Sequence, residues 1–315
     1  MSEPVIVAND LRREFGSFVA VRDVTFDVER GEIFGYLGAN GAGKSTTIRM
    51  LTGLLTPTGG RATVAGYDVG REPDRVKGAI GYMSQKFSLY LDLLAEHNLE
   101  FFGGIYGLTG KKLRHRIDAS IERVGLREHR DTLTASLPGG IRQRLALACS
   151  LIHEPAIVFL DEPTAGVDPV ARRQFWSLIR ELSAAGTTGF VTTHYMDEAE
   201  YCARIGLMVD GELRALDTPA GLKRDFVPGS TLAVEGHGVH AALIEIRKID
   251  GVLAAEPFGA RAHVRFAPGR ADEAALAERF TAAGARVTRV EPVDATLEDV
   301  FLAVVGDSKR AREAA

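Results

Sequence analysis

Between an apolar run, Ile33–Leu37, and a helix-compatible stretch, Thr46–Leu51, the chain carries Gly38-Ala39-Asn40-Gly41-Ala42-Gly43-Lys44-Ser45-Thr46. This is the pattern G-x-x-x-x-G-K-[ST] set between a strand and a helix, the arrangement of a phosphate-binding loop. Glycines let successive backbone N–H groups curl around phosphate oxygens, and the helix behind them points its positive end at the same anion. Gly38, Asn40, Gly41, Ala42, Gly43, Lys44, Ser45 and Thr46 are therefore candidate nucleotide-binding residues. Lys44 is the group to reach the β- and γ-phosphates, and Ser45 the hydroxyl to sit on Mg²⁺. The competing reading, a glycine-rich turn before a helix, does not account for the strand in front of it.

A chain of 315 residues, 45% hydrophobic and 25% charged, has room for one large domain with an appendage or for two domains. Its formal net charge of -4 supplies no broad basic field, so nucleic acid is not an expected partner. Cys149 and Cys202 show neither metal-like nor CxxC spacing and read as reduced cysteines of a cytosolic protein. Met1–Asp10 lacks the basic start and apolar core of a secretory signal. No run approaches the roughly 18 uninterrupted apolar residues of a membrane helix. A role at a membrane then needs another chain to do the spanning.

Val5 to about Glu29 reads as β-structure, with Phe15 in a polar segment where it is equally a core residue or a platform for an adenine ring. Arg61–Val69 reads as a hairpin around Ala65-Gly66, and Ile80–Gln85 as a strand ending in a polar residue. Leu93–Val124 turns helical. Leu137-Pro138-Gly139-Gly140 then opens a further helix, a second candidate anion site that is weak by itself. Ala156–Leu160 is a continuous apolar run capped by Asp161 and Glu162, as expected of a buried parallel strand whose end faces a site. Next to a phosphate loop, Asp161 suits the Mg²⁺ shell and Glu162 the water that attacks the γ-phosphate. Asp168-Pro169 starts a helix, and Gly189–Thr193 is another buried strand ending in His194. After a boundary near Arg224–Gly229 the order becomes β-α-β-β-α-β with an appended helix, Leu297–Val305, and no catalytic constellation.

Over nearly the whole of residues 3 to 222 these motifs resemble the ATP-binding subunits of ABC transporters. The ordered set is the aromatic Phe15, the phosphate loop Gly38–Ser45, Gln85, the signature stretch Leu137–Gly140, Ile157–Asp161 with Glu162, Ala165–Asp168 and His194. Thr193–Glu200 and Thr296–Phe301 look like the exporter ATPases of the daunorubicin-resistance and multidrug type. The resemblance implies an α/β fold: a P-loop NTPase core with an antiparallel β subdomain and a helical subdomain, plus a small α+β ferredoxin-like C-terminal domain. The expected domains are 1–224, with the helical part at about 86–152, then 225–306 and a frayed tail at 307–315.

The same resemblance implies ATP and Mg²⁺ as cofactors and two ATPase domains, identical or different, meeting head to tail. Pro138, Gly139 and Gly140 then serve the partner's ATP, Glu162 is the general base, and Gln85 and His194 sense the γ-phosphate, with Ser45, Gln85 and Asp161 on the metal. A separate membrane permease is expected to meet the Ser84–Tyr90 loop and the helical subdomain, placing the chain on the cytoplasmic face of the cell membrane. Pro138 departs from the family's serine and loses both a hydroxyl and a backbone N–H. That substitution keeps open a regulatory subunit with weak hydrolysis, and a non-transport ABC clamp is the remaining alternative.

Overall fold

The computed structural model describes residues 4–85 and 89–313, with residues 307–313 as backbone alone. The chain divides into two compact units, Met1–Pro219 and Ala220–Ala315.

The first unit begins with a long hairpin, β1 (Pro4–Phe15) and β2 (Phe18–Glu29), followed by β3 (Ile33–Gly38) and α1 (Lys44–Leu51). Next come β4 (Gly59–Val64), β5 (Tyr67–Asp68), α2 (Pro73–Ala79) and β6 (Ile80–Met83). The β4–β5 turn uses Ala65 at φ 51° and Gly66 at φ 83°, the left-handed pair that a two-residue hairpin needs. Three helices follow: α3 (Ala95–Ile105), α4 (Gly110–Arg123) and α5 (Gly139–Leu151). The chain then re-enters the sheet with β7 (Ile157–Asp161), α6 (Pro169–Ala184), β8 (Thr188–Thr193), the short α7 (Met196–Ala199), β9 (Arg204–Val209) and β10 (Glu212–Asp217).

Two sheets result. β2-β1-β4-β5 is antiparallel, and the central sheet runs β10-β9-β3-β8-β7-β6. From β9 to β6 every pairing in the central sheet is parallel, and only β10 is antiparallel. The buried strands read as unbroken apolar runs because both faces are covered: β3 and β8 are buried at every residue. Phe26 of the antiparallel sheet lies 5.5 Å from Phe34 and 6.0 Å from Phe190, ring centre to ring centre, which seats one sheet on the other.

The parallel order has one consequence that matters for chemistry. Leu37 pairs with Thr193, Asp161 with Thr192 and Met83 with Leu160, so the C-terminal ends of β3, β8, β7 and β6 share one edge. In open α/β sheets, ligand-binding groups collect at that edge.

The second unit contains α8 (Pro219–Phe226) from Ala220 onward, β11 (Ser230–His237), α9 (Val239–Ile246), β12 (Val252–Phe258), β13 (Arg261–Phe266), α10 (Glu273–Ala282), β14 (Arg286–Val293) and α11 (Leu297–Glu313). Its sheet is antiparallel in the order β12-β13-β11-β14, over a core of Leu243, Ile246, Val264, Leu276 and Phe280. The division falls earlier than the 224/225 boundary expected from sequence. Arg265 Nη1 donates to Phe226 O at 2.9 Å, tying the end of α8 into this sheet. The helix α11 also continues to Glu313, through most of the stretch expected as a frayed tail. Residues 307–313, Asp-Ser-Lys-Arg-Ala-Arg-Glu, hold no glycine or proline to stop it.

Candidate functional site

Two glycines of the 38–46 loop are there because nothing larger fits. Gly43 stands at φ 106° at the head of α1, and a Cβ on it would lie 2.7 Å from Ala20 O. A Cβ on Gly38 would lie 2.5 Å from Met208 O. Gly41, at φ 83°, borders open space, which leaves its backbone accessible to an anion. Asn40 is exposed and Ala42 is buried, its N–H turned inward onto Ala39 O at 3.1 Å.

Lys44 and Thr46 open α1 on the other side of the loop. Lys44 is only 4% exposed and its ammonium donates to Gly38 O at 2.8 Å and Ala39 O at 3.2 Å. Burial pushes this ammonium below the usual lysine range, with the carboxylates of Glu162 and Asp161 pulling the other way.

At the end of β7, Asp161 is buried and accepts from Thr192 Oγ1 at 2.6 Å and from Ser45 Oγ at 3.2 Å. A hydroxyl and a carboxylate meeting in this way form an oxygen-only donor pair, which fits Mg²⁺ rather than a soft metal. Glu162 follows in the left-handed region at φ 49°, a costly conformation for a residue with a side chain. Its backbone N–H is held by Thr192, at 3.1 Å to O and 3.0 Å to Oγ1.

The Glu162 carboxylate is where the sequence-predicted residues meet. Gln85 Nε2 donates to Oε2 at 3.0 Å, His194 Nδ1 stands 3.3 Å from the same oxygen, and Lys44 Nζ stands 3.5 Å from Oε1. The His194 contact is close but not aligned as a hydrogen bond, and that buried nitrogen has no hydrogen-bond partner among the described residues.

Other predicted residues lie elsewhere. Phe15 ends the β1–β2 hairpin, 48% exposed, with the Arg13 guanidinium 4.6 Å above its ring, so the core reading is excluded. Pro138 is the N-cap residue of α5 and is exposed, as is Gly139. Gly140 has a packing role that the sequence did not reveal: a Cβ there would lie 2.6 Å from Ala171 Cβ on α6. Gly140→Ala is therefore expected to destabilise the fold by about 1–2 kcal/mol through overpacking, measured by urea unfolding. An unchanged midpoint would mean α6 gives way freely. Of the Ser84–Tyr90 loop, Lys86, Phe87 and Ser88 lie outside the described residues.

A second polar cluster, not singled out as functional from the sequence, sits behind the first. Glu198 accepts from Thr193 Oγ1 at 2.8 Å and from Thr164 Oγ1, and Arg172 Nε lies 3.3 Å from its Oε1. The Arg172 guanidinium also covers the Tyr195 ring at 4.1 Å. Burial pushes the Glu198 carboxyl above its usual range, with both threonine hydroxyls and Arg172 opposing.

This geometry belongs to a known group of proteins. Residues 21–165 match the family model described as ABC transporter. Over 221 residues the chain is 54% identical to the probable multidrug ABC transporter ATP-binding protein YbhF of Escherichia coli (strain K12), covering 70% of this chain and 38% of that protein. It is 36% identical over 320 residues, 98% of each chain, to the daunorubicin resistance ATP-binding protein DrrA2 of Streptomyces coeruleorubidus. The chain belongs to the ATP-binding proteins of ABC transporters. Among solved structures, the dimeric post-hydrolysis state of the ATP-binding cassette MJ0796, bound to ADP and Pi, superposes with a TM-score of 0.61 at 25% identity, covering 68% of this chain and 98% of that one. As a member of this family the chain has the P-loop NTPase fold. It spans well under half the length of YbhF, and no described helix is long and apolar enough to cross a membrane.

Proposed function

We propose that this ABC ATPase is the motor subunit of an exporter: it hydrolyses Mg²⁺-ATP between two ATPase domains that meet head to tail and drives a separate membrane permease. The observation that carries the reading is the convergence of Lys44, Gln85 and His194 on the Glu162 carboxylate, beside the Ser45–Asp161 pair.

In this reading the backbone of Gly38–Thr46 and the ammonium of Lys44 hold the β- and γ-phosphates, and Phe15 stacks on the adenine. Ser45 and Asp161, with Gln85, are the residues to hold Mg²⁺, which supplies charge neutralisation on the phosphates. Glu162 orients and accepts the proton of the attacking water, and His194 donates to the γ-phosphate. Lys44 has to exchange its contacts with Gly38 O, Ala39 O and Glu162 for phosphate oxygens, so nucleotide entry frees the carboxylate for water. Pro138–Gly140 face the partner domain's ATP across the dimer.

The permease contact rests on a patch of large apolar side chains. Tyr90, Leu91, Phe101 and Ile105 are exposed, and the Tyr90 and Phe101 rings lie 4.6 Å apart. Buried Asn98 fixes the backbone of Tyr90 within this patch, receiving Tyr90 N–H and donating to Tyr90 O, each at 2.9 Å. In this reading the permease meets the helical subdomain on this patch, and the chain works at the cytoplasmic face of the membrane. Relatives named for multidrug function and daunorubicin resistance support export as its direction.

Light scattering on the purified chain with Mg²⁺ and a non-hydrolysable ATP analogue tests the composite site. A nucleotide-dependent dimer is the expected result. A monomer with and without nucleotide would overturn the self-sufficient motor and favour a regulatory subunit that needs a second ATPase chain.

A further inference from the structure

Glu198 is completely buried, with 0% of its surface exposed, on the four-residue helix that follows His194. A buried carboxylate is costly unless its oxygens are satisfied, and here each is satisfied by a different part of the site. Oε1 accepts from Thr164, two residues past Glu162, and Oε2 accepts from Thr193, the residue before His194.

The two anchored segments are those that carry the groups meant to face the γ-phosphate. On one side, Ala165 N–H returns to Glu162 O at 3.2 Å and Val167 N–H to Thr164 O at 3.2 Å, so Thr164 lies inside the turn that begins at Glu162. On the other, Tyr195 N–H donates to Thr193 Oγ1 at 3.0 Å, fixing the chain on both sides of His194. Arg172 completes the clamp with its charge near Glu198 and its guanidinium over Tyr195.

Glu162 needs such support. Its backbone at φ 49° persists only where the surroundings over-determine it. Thr192 fixes the N–H side of that residue, and the Glu198–Thr164 contact fixes the chain that leaves it.

We propose that Glu198 is a positioning residue for ATP hydrolysis, holding the Glu162 turn and the His194 strand end in register through Thr164 and Thr193. This rests on the reading that Glu162 and His194 act on the terminal phosphate of ATP. Glu198 touches neither nucleotide nor water and acts through those two side chains. A displacement of about 1 Å at a reacting group is enough to cost activity heavily without disturbing binding.

The test uses the full chain with Mg²⁺-ATP, reading kcat, KM and equilibrium binding of a fluorescent ATP analogue. Glu198→Gln keeps the side chain's size but turns one acceptor into a donor. It is expected to lower kcat about tenfold with KM and analogue affinity within about twofold. In a Glu162→Gln background the same change should cost clearly less in single-turnover hydrolysis than it does in the wild type, because one of the two groups it positions is already gone and only its hold on His194 remains. Thr164→Val should reproduce the kcat defect and Thr164→Ser should restore it, which keeps the question decidable if Glu198→Gln does not fold. Unchanged kcat in Glu198→Gln and Thr164→Val, or an equal loss in both backgrounds, would overturn the proposal. Full turnover in Glu162→Gln alone would instead overturn the role given to Glu162, whatever Glu198 does.

Discussion

Glu162→Gln is expected to lower ATP turnover by about 10²- to 10⁴-fold while leaving ATP affinity intact or slightly improved. The amide has the same shape as the carboxylate and can still accept from Gln85, whose Nε2 lies 3.0 Å from Oε2. It cannot take a proton from water at neutral pH, which is the step assigned to this residue. The rise in affinity follows from charge. A carboxylate 9% exposed and 3.5 Å from Lys44 competes with the γ-phosphate for that ammonium and repels the incoming nucleotide. Neutralising it removes both penalties. Phosphate release under steady-state and single-turnover conditions, beside equilibrium binding of a fluorescent ATP analogue, separates the two effects. Wild-type turnover in the variant would take Glu162 out of the chemistry. A collapse of binding together with turnover would make it a structural partner of Lys44.

The residues that meet at Glu162 were legible one at a time in the sequence, and their meeting was not. Each of Gln85, Glu162 and His194 follows the end of an apolar strand, and Lys44 follows a loop that begins at one. Which strands are neighbours is a property of the sheet order β3-β8-β7-β6, fixed by pairing between segments far apart in the chain. Local pattern carries no information about it. The same limit hid Glu198. In Asp197-Glu198-Ala199-Glu200 it looks like one of several solvated acids on a helix, and only the packing of Thr164 and Thr193 around it makes it buried. The left-handed backbone of Glu162 was equally invisible, since glycine rather than glutamate is the residue that announces such a turn. Gly140 shows the reverse case. A signature glycine reads as a ligand-facing residue, yet its missing side chain also makes room for Ala171. The hairpin at Ala65-Gly66, by contrast, was readable because its left-handed dihedrals are a local demand met by local residues.

Pro138→Ser is expected to strengthen nucleotide-dependent dimerisation by about one to two orders of magnitude, the worth of one charge-assisted hydrogen bond of roughly 1.5–3 kcal/mol. Pro138 occupies the N-cap of α5 at φ −54° and ψ 151°, with no side-chain cap on the helix. Serine adopts those angles without strain and brings two donors that proline lacks: its backbone N–H and its hydroxyl. The hydroxyl oxygen can accept from a first-turn amide of α5 while its proton points outward to an anion, so capping the helix does not cancel the gain at the phosphate. Because Pro138 is exposed, the added groups stay hydrated in the monomer and cost little to the isolated fold. The gain at the phosphate should therefore appear in the dimer, beside whatever the new helix cap adds to the monomer's stability. The measurement is the monomer–dimer midpoint against Mg²⁺-ATP concentration, compared between Glu162→Gln and Glu162→Gln/Pro138→Ser so that hydrolysis does not reset the equilibrium. A midpoint that does not move would mean that the α5 N-terminal amides of Gly139 and Gly140 already supply all the binding this site can use. Proline would then be a neutral replacement at this position, and the argument for a weakened, regulatory site would fall with it.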